Sequence, residues 1–98
     1  MSRGYTLSDA ADRDLIEIWF YAFQFEQSDL RADDIIDGLY ESFAFLAKYP
    51  RTGTPRKRLG GDTLVFAKGD YVIAYRRAAT GIEISRITGG DEDILHDL

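Results

Sequence analysis

From Thr63 onward the hydrophobic period of this chain switches from that of a helix to two, and that switch, after Pro50, sets a helical stretch apart from the run of strands that follows it. Before it, Ala11, Leu15, Ile18, Trp19 and Ala22 recur at three- and four-residue intervals, as do Ala32, Ile36, Leu39, Phe43 and Leu46. Each set marks one face of a helix. After it, β-branched and aromatic residues alternate with polar ones, the period of a half-buried strand.

The boundaries follow from local chemistry. Tyr5 and Leu7, alternating with Gly4 and Thr6, predict a short first strand, and Ser8 is placed to cap the helix after it. Asp9 and Asp12 fall in the first turn, where the helix dipole favours acids. This helix is predicted from about Asp9 to about Phe25, and a second from Ser28 and Asp29 to Lys48, ended by Pro50. Only the polar stretch Gln24 to Gln27 separates them, so they fold back as an antiparallel hairpin. Gly38 inside the second helix marks either a close helix contact or nothing. The segment from Pro50 to Asp62, with Gly53, Pro55, Gly60 and Gly61 around Arg56-Lys57-Arg58, reads as an exposed loop. Thr63 to Ala67, Tyr71 to Arg77 and Ile82 to Ile87 read as three strands, joined by turns at Gly69-Asp70 and Ala79-Thr80-Gly81. The fold class is α+β: a strand, an antiparallel helical hairpin laid on one face of a three-stranded antiparallel meander, and a short acidic C-terminal tail. One domain over residues 1–98 is expected at this length.

The expected core is Leu15, Ile18, Trp19, Ile36, Leu39, Phe43, Leu46, Val72, Ile73 and Ile84. Ile16, Phe20 and Phe23 form a second apolar strip on the first helix, wider than one packing partner covers. The strip is either further core or a protein-binding surface.

Composition removes several chemistries. With no cysteine there are no disulfides, thiolate nucleophiles or cysteine-rich zinc sites, and the single histidine, His96, argues against a histidine metal centre. His96 reads as solvated in the acidic tail. No metal site or cofactor is expected. No run approaches the ~18 uncharged apolar residues of a membrane span, and Met1 to Gly4 does not lead into a secretory signal, so a cytoplasmic protein is expected. The net charge of −5 hides a segregation: residues 1–50 carry 4 bases and 10 acids, residues 51–88 carry 8 bases and 3 acids, and residues 89–98 carry 4 acids. An acidic chain is a poor general binder of nucleic acid. The basic set Arg51, Arg56, Lys57, Arg58, Arg76, Arg77 and Arg86 could instead grip an acidic protein, because guanidinium forks match carboxylates in shape as well as charge. A solvated loop is the alternative for Arg56 to Arg58.

Four segments in order, YTLSDAADRDLIEIWFY, LYESFAFLAKYPRTGTPRKRL, GDYVIAYR and GIEISRITGGDED, make the chain from Tyr5 to Asp93 resemble the ParE toxins of the ParE/RelE superfamily, the toxin halves of type II toxin–antitoxin pairs. The resemblance implies a β-α-α-β-β-β fold and a toxin silenced in a hetero-oligomer by a ParD-like antitoxin. It also implies DNA gyrase as target, inhibited by binding, so that the protein is not an enzyme. The antitoxin would meet Arg51, Arg56, Lys57, Arg58, Arg76 and Arg77, with its apolar side chains on Phe20 and Phe23. The carboxyl end would engage the target, which makes Arg86, Glu92 and Asp93 target-binding candidates. Where family members usually carry a histidine and then an arginine, this chain has Gly89 and Glu92. That exchange supports a third reading, a member that binds antitoxin without being toxic.

The same superfamily contains RelE-like ribosome-dependent endoribonucleases. Cleavage through the 2′-hydroxyl needs a proton acceptor, a proton donor for the leaving 5′-oxygen, and cations for the phosphate. Glu83, Arg76, Arg86 and Tyr75 are the sheet residues able to fill those roles. Strand alternation sets Tyr75 opposite Arg76 and sends Glu83 and Arg86 to opposite faces, unless a bulge intervenes.

Overall fold

The computed structural model describes residues 4–26 and 29–89. Its elements are β1 (Tyr5–Leu7), α1 (Asp9–Glu26), α2 (Asp29–Lys48), β2 (Thr54–Pro55), β3 (Leu64–Lys68), β4 (Tyr71–Ala78) and β5 (Gly81–Gly89), with one 3₁₀ turn at Lys57–Leu59. The strands form a mixed sheet in the order β1-β5-β4-β3-β2. β3, β4 and β5 are the expected meander, and β1 joins it in parallel to β5, with Tyr5 to Leu7 opposite Ile82 to Ile84. Ser28, the linker residue Gln27 and the acidic tail lie outside the described residues.

Ser8 couples the first helix to the sheet. Its hydroxyl accepts the Ala11 N–H at 3.0 Å, capping α1, and donates to the Ser85 carbonyl at 2.7 Å. Its own N–H reaches the Ile84 carbonyl at 3.0 Å. At the other end of β5, Gly81 has φ +121° and lies against the Gly4 carbonyl, so a Cβ there would collide with backbone.

A register shift interrupts the β4–β5 ladder: Ala74 pairs with Arg86 and Tyr75 with Ile84, leaving Ser85 as the extra residue of a bulge. Ile73, Tyr75, Ile82, Ile84 and Ile87 therefore all face the helices, where they pack with Leu15, Ile18, Leu39, Phe43 and Leu46. Val65, Val72 and Ala74 face the other way and are covered by Leu59 of the 3₁₀ turn. Each valine, leucine, isoleucine or phenylalanine so enclosed contributes about 1.5–3 kcal/mol against exposure.

Several expectations need correction. Val72 is buried, but in the small second cluster. Ile36 is only partly buried against the main core. Trp19 is half-exposed: its indole N–H bonds Asp33 Oδ1 at 2.9 Å and its ring stacks on Phe23, so the indole bridges α1 and α2 at their surface. The segment from Pro50 to Asp62 is not all loop, since it holds β2, which pairs with Leu64 and Val65, and the 3₁₀ turn. Gly38 faces the aliphatic end of Lys68 on β3, which a Cβ would meet at an ordinary 3.5 Å, so it marks no close helix contact.

Where β1 ends, a helix carboxylate takes over the edge of β5. Asp14, 7% exposed, accepts the Ile87 N–H at 2.9 Å and both prongs of the Arg86 guanidinium at 2.8 and 3.1 Å. Asp14→Ala orphans a buried donor and is expected to cost about 2–3 kcal/mol. Glu83→Ala removes only the surface pair with Arg76 and is expected to cost at most about 1 kcal/mol. Urea unfolding of the two variants checks the difference; equal losses would show that Asp14 does not hold the edge.

Candidate functional site

The bulge at Ser85 decides which charged side chains meet. By returning Arg86 to the face opposite the core, it puts Arg76, Glu83 and Arg86 on one side of the sheet, around a groove of about 560 Å³ that Leu59, Thr63 and Thr88 also line. Each arginine there has a carboxylate. Arg76 bonds Glu83 through Nε at 3.0 Å and Nη2 at 2.9 Å, and Arg86 is forked onto Asp14.

Tyr75 lies on the other face, fully buried. Its hydroxyl donates to the Pro50 carbonyl at 2.9 Å and accepts the Gly53 N–H at 2.7 Å. A Cβ on residue 53 would lie 2.5 Å from that oxygen, so glycine is required there. Burial pushes the hydroxyl above its ordinary 10.0, opposed by the Gly53 hydrogen bond. Tyr75 is therefore a clamp on the segment after α2, separate from Arg76, Glu83 and Arg86.

The remaining candidates fall into two places. Arg51, Lys57, Arg58 and Arg77 are exposed, while Arg56 is half-buried, its Nη1 donating to the Pro55 carbonyl and its Nε without a hydrogen-bond partner among the described residues. Lys57 and Arg58 belong to the turn whose Leu59 covers the second sheet face. Phe20 and Phe23 belong to the helical layer, 62% and 44% exposed, in line with Ile16 at 58%. The structure thus separates the aromatic pair from the 3₁₀-turn cations by the thickness of the sheet. Glu92, Asp93 and His96 lie outside the described residues.

Sequence reasoning missed Asp14. Its signal was an acid three residues after Ala11 and four before Ile18, within the spacing of the buried face, where a carboxylate requires a partner. Among the described residues no three His, Cys, Asp or Glu side chains are grouped to hold a metal ion, and no helix is long and apolar enough to cross a membrane.

The described chain is thus an α+β domain, a helical hairpin on a mixed sheet, with paired charges on the sheet's second face and aromatic side chains left outside on the first helix. Residues 5–94 match the ParE toxins of type II toxin–antitoxin systems, parDE, and the chain belongs to that family. Among solved structures, the chromosomal ParDE system of P. aeruginosa aligns with 90% of this chain and 98% of its own at a TM-score of 0.71 and 17% identity, a likeness of fold. Comparison with curated protein sequences finds no match.

Tyr75→Phe leaves the Gly53 N–H and the Pro50 carbonyl unsatisfied and is expected to cost about 1–3 kcal/mol. Because the folded state holds the Tyr75 proton more tightly than the unfolded chain, this stabilisation is complete below about pH 10 and is lost as pH rises through the folded value. Unfolding followed from neutral pH into the alkaline range should show a shallower loss in the variant than in the wild type. An identical alkaline loss would assign the decline to other groups.

Proposed function

We propose that this protein is a ParE-like toxin that acts by binding, inhibits DNA gyrase, and is neutralised in the cytoplasm by a ParD-like antitoxin. The observation that carries the reading is the pairing on the second sheet face: both arginines that could receive a scissile phosphate already bind carboxylates, and Glu83, the acid beside them, is one of those partners. A substrate phosphate would have to break an ion pair to gain either cation. Proton transfer from Tyr75 is disfavoured as well, since its hydroxyl is buried and engaged at both ends. Inhibition by binding requires no proton-transfer group, only a complementary surface.

The RelE-like reading draws support from the bulge, which gathers Glu83, Arg76 and Arg86 around one groove. The net charge of −5 works against it, because docking on ribosomal RNA would carry repulsion outside the basic zone. For an acidic antitoxin segment the accessible cations are Arg51, Lys57, Arg58 and Arg77, and Arg86 with the tail acids Glu92 and Asp93 are the target-side candidates.

Purified protein added to DNA gyrase and relaxed plasmid tests the proposal. Supercoiling is expected to fall with increasing protein, and Glu83→Gln is expected to inhibit equally. Undiminished supercoiling, together with messenger RNA cut on ribosomes by the wild type and left intact by Glu83→Gln, would replace the binding reading with the nuclease one.

A further inference from the structure

Residues 90–98 hold Asp91, Glu92, Asp93 and Asp97 and no lysine or arginine, and they follow directly on Gly89, the last residue of β5. Two depressions meet at that point, both lined by Arg86 and Thr88. One, of about 770 Å³, lies between α1 and the β3–β4 turn and is lined by Asp14, Glu17 and Asp70, with Arg86 as its one base among the described residues. The other is the groove of about 560 Å³ on the second sheet face, lined by Arg76, Arg86 and Leu59, where the one acid, Glu83, is bonded to Arg76. Lys57 and Arg58 are exposed on the turn that carries Leu59. Thr88 adds a second sign. Its Oγ1 is buried and has no hydrogen-bond partner among the described residues, a state uncommon for a buried hydroxyl and one that a further segment over the groove relieves.

Charge decides between the two depressions. An acidic segment meets Glu17, Asp70 and Asp14 in the first, and Arg76, Arg86, Lys57 and Arg58 at the second, so repulsion disfavours one and attraction favours the other. Reach permits both. Asp93 is four residues past Gly89, about 13 Å of extended chain, and β5 lies two strand spacings, about 10 Å, from β3. Linking two groups through a few residues also gives them an effective concentration of about a millimolar, which populates a contact too weak to form between separate molecules. We propose that residues 91–93 fold back over the groove on the second sheet face and pair with Arg86 and with the cations of the 3₁₀ turn, Lys57 and Arg58. The segment then screens those cations. An acidic partner aimed at Lys57 and Arg58, or a target aimed at Arg86, binds only after displacing it.

The chain has no cysteine, so His96→Cys provides a single attachment point for a nitroxide spin label. Broadening of the amide signals of Leu59, Thr63 and Arg76 reports the second sheet face, and broadening of Glu17, Tyr21 and Asp70 reports the other depression. Thr88 and Gly89, close to the label along the chain, are not read. At low salt the first set is expected to broaden several-fold more than the second, and to lose most of that excess at about 1 M salt, where the Debye length is about 3 Å. Exchanging the acids for amides, Asp91→Asn with Glu92→Gln and Asp93→Asn, is expected to remove the excess too, with the positions of the other signals unchanged. Lys57→Gln with Arg58→Gln, both at exposed positions, is expected to do the same. The proposal is overturned if the second set broadens more, if neither set broadens, or if the excess survives salt or the loss of the acids. It is also overturned if a spin-labelled chain broadens the first set in an isotopically labelled chain that lacks the nitroxide, which makes a second copy the host. None of these signals involves gyrase, so failure of the proposed target leaves them as they stand, and their failure leaves gyrase inhibition untouched.

Discussion

β5 is bonded along both of its edges, and the two halves of one edge are held by different means. Over Ile82 to Ile84 the neighbour is β1, and beyond it the neighbour is the carboxylate of Asp14, which takes the Ile87 N–H. A strand edge left unpaired would need water or another chain. Asp14 instead ties the edge to α1 and, through the same oxygens, fixes Arg86. The Ser85 bulge sits between these two halves, and Ser8, the cap of α1, bonds to its carbonyl. Helix placement, strand register and the state of Arg86 thus depend on a few adjacent hydrogen bonds.

From that constraint the two surfaces follow. The bulge returns Arg86 to the second sheet face beside Arg76 and Glu83, where the charges neutralise one another or Asp14, and it brings Ile87 to the core face with Ile84. On the far side of the helices, α1 has spent Ala11, Leu15, Ile18 and Ala22 on the core and retains a second apolar line that nothing in the described chain covers. An amphipathic helix with one buried stripe and one exposed aromatic stripe carries more apolar surface than its own fold uses.

The fold was readable from sequence to the extent that it depends on period and turn chemistry. Both helices, the three long strands and their turns follow from those signals, because burial on one face forces the pattern. What depends on long-range pairing was not readable. The parallel seating of β1 on β5 and the two-residue β2 give no local signal, and the bulge could be named only as a condition. Trp19 shows the same limit: it has the spacing of the buried face but lies at its margin, where Asp33 of the other helix satisfies the indole and leaves one side of the ring outside. Family resemblance supplied the candidate partners, whereas the pairing of Arg76 with Glu83 and of Arg86 with Asp14 depends on contacts between elements that leave no local signal.

The central proposal is that this ParE-family protein works through surfaces and not through a catalytic centre. The most direct measurement is the order in which DNA, RNA and protein synthesis stop in cells after induction, followed by pulse labelling of each. DNA synthesis failing first, with messenger RNA intact, is the predicted result. Protein synthesis failing first, with messengers cut at ribosome-bound codons, would contradict the account.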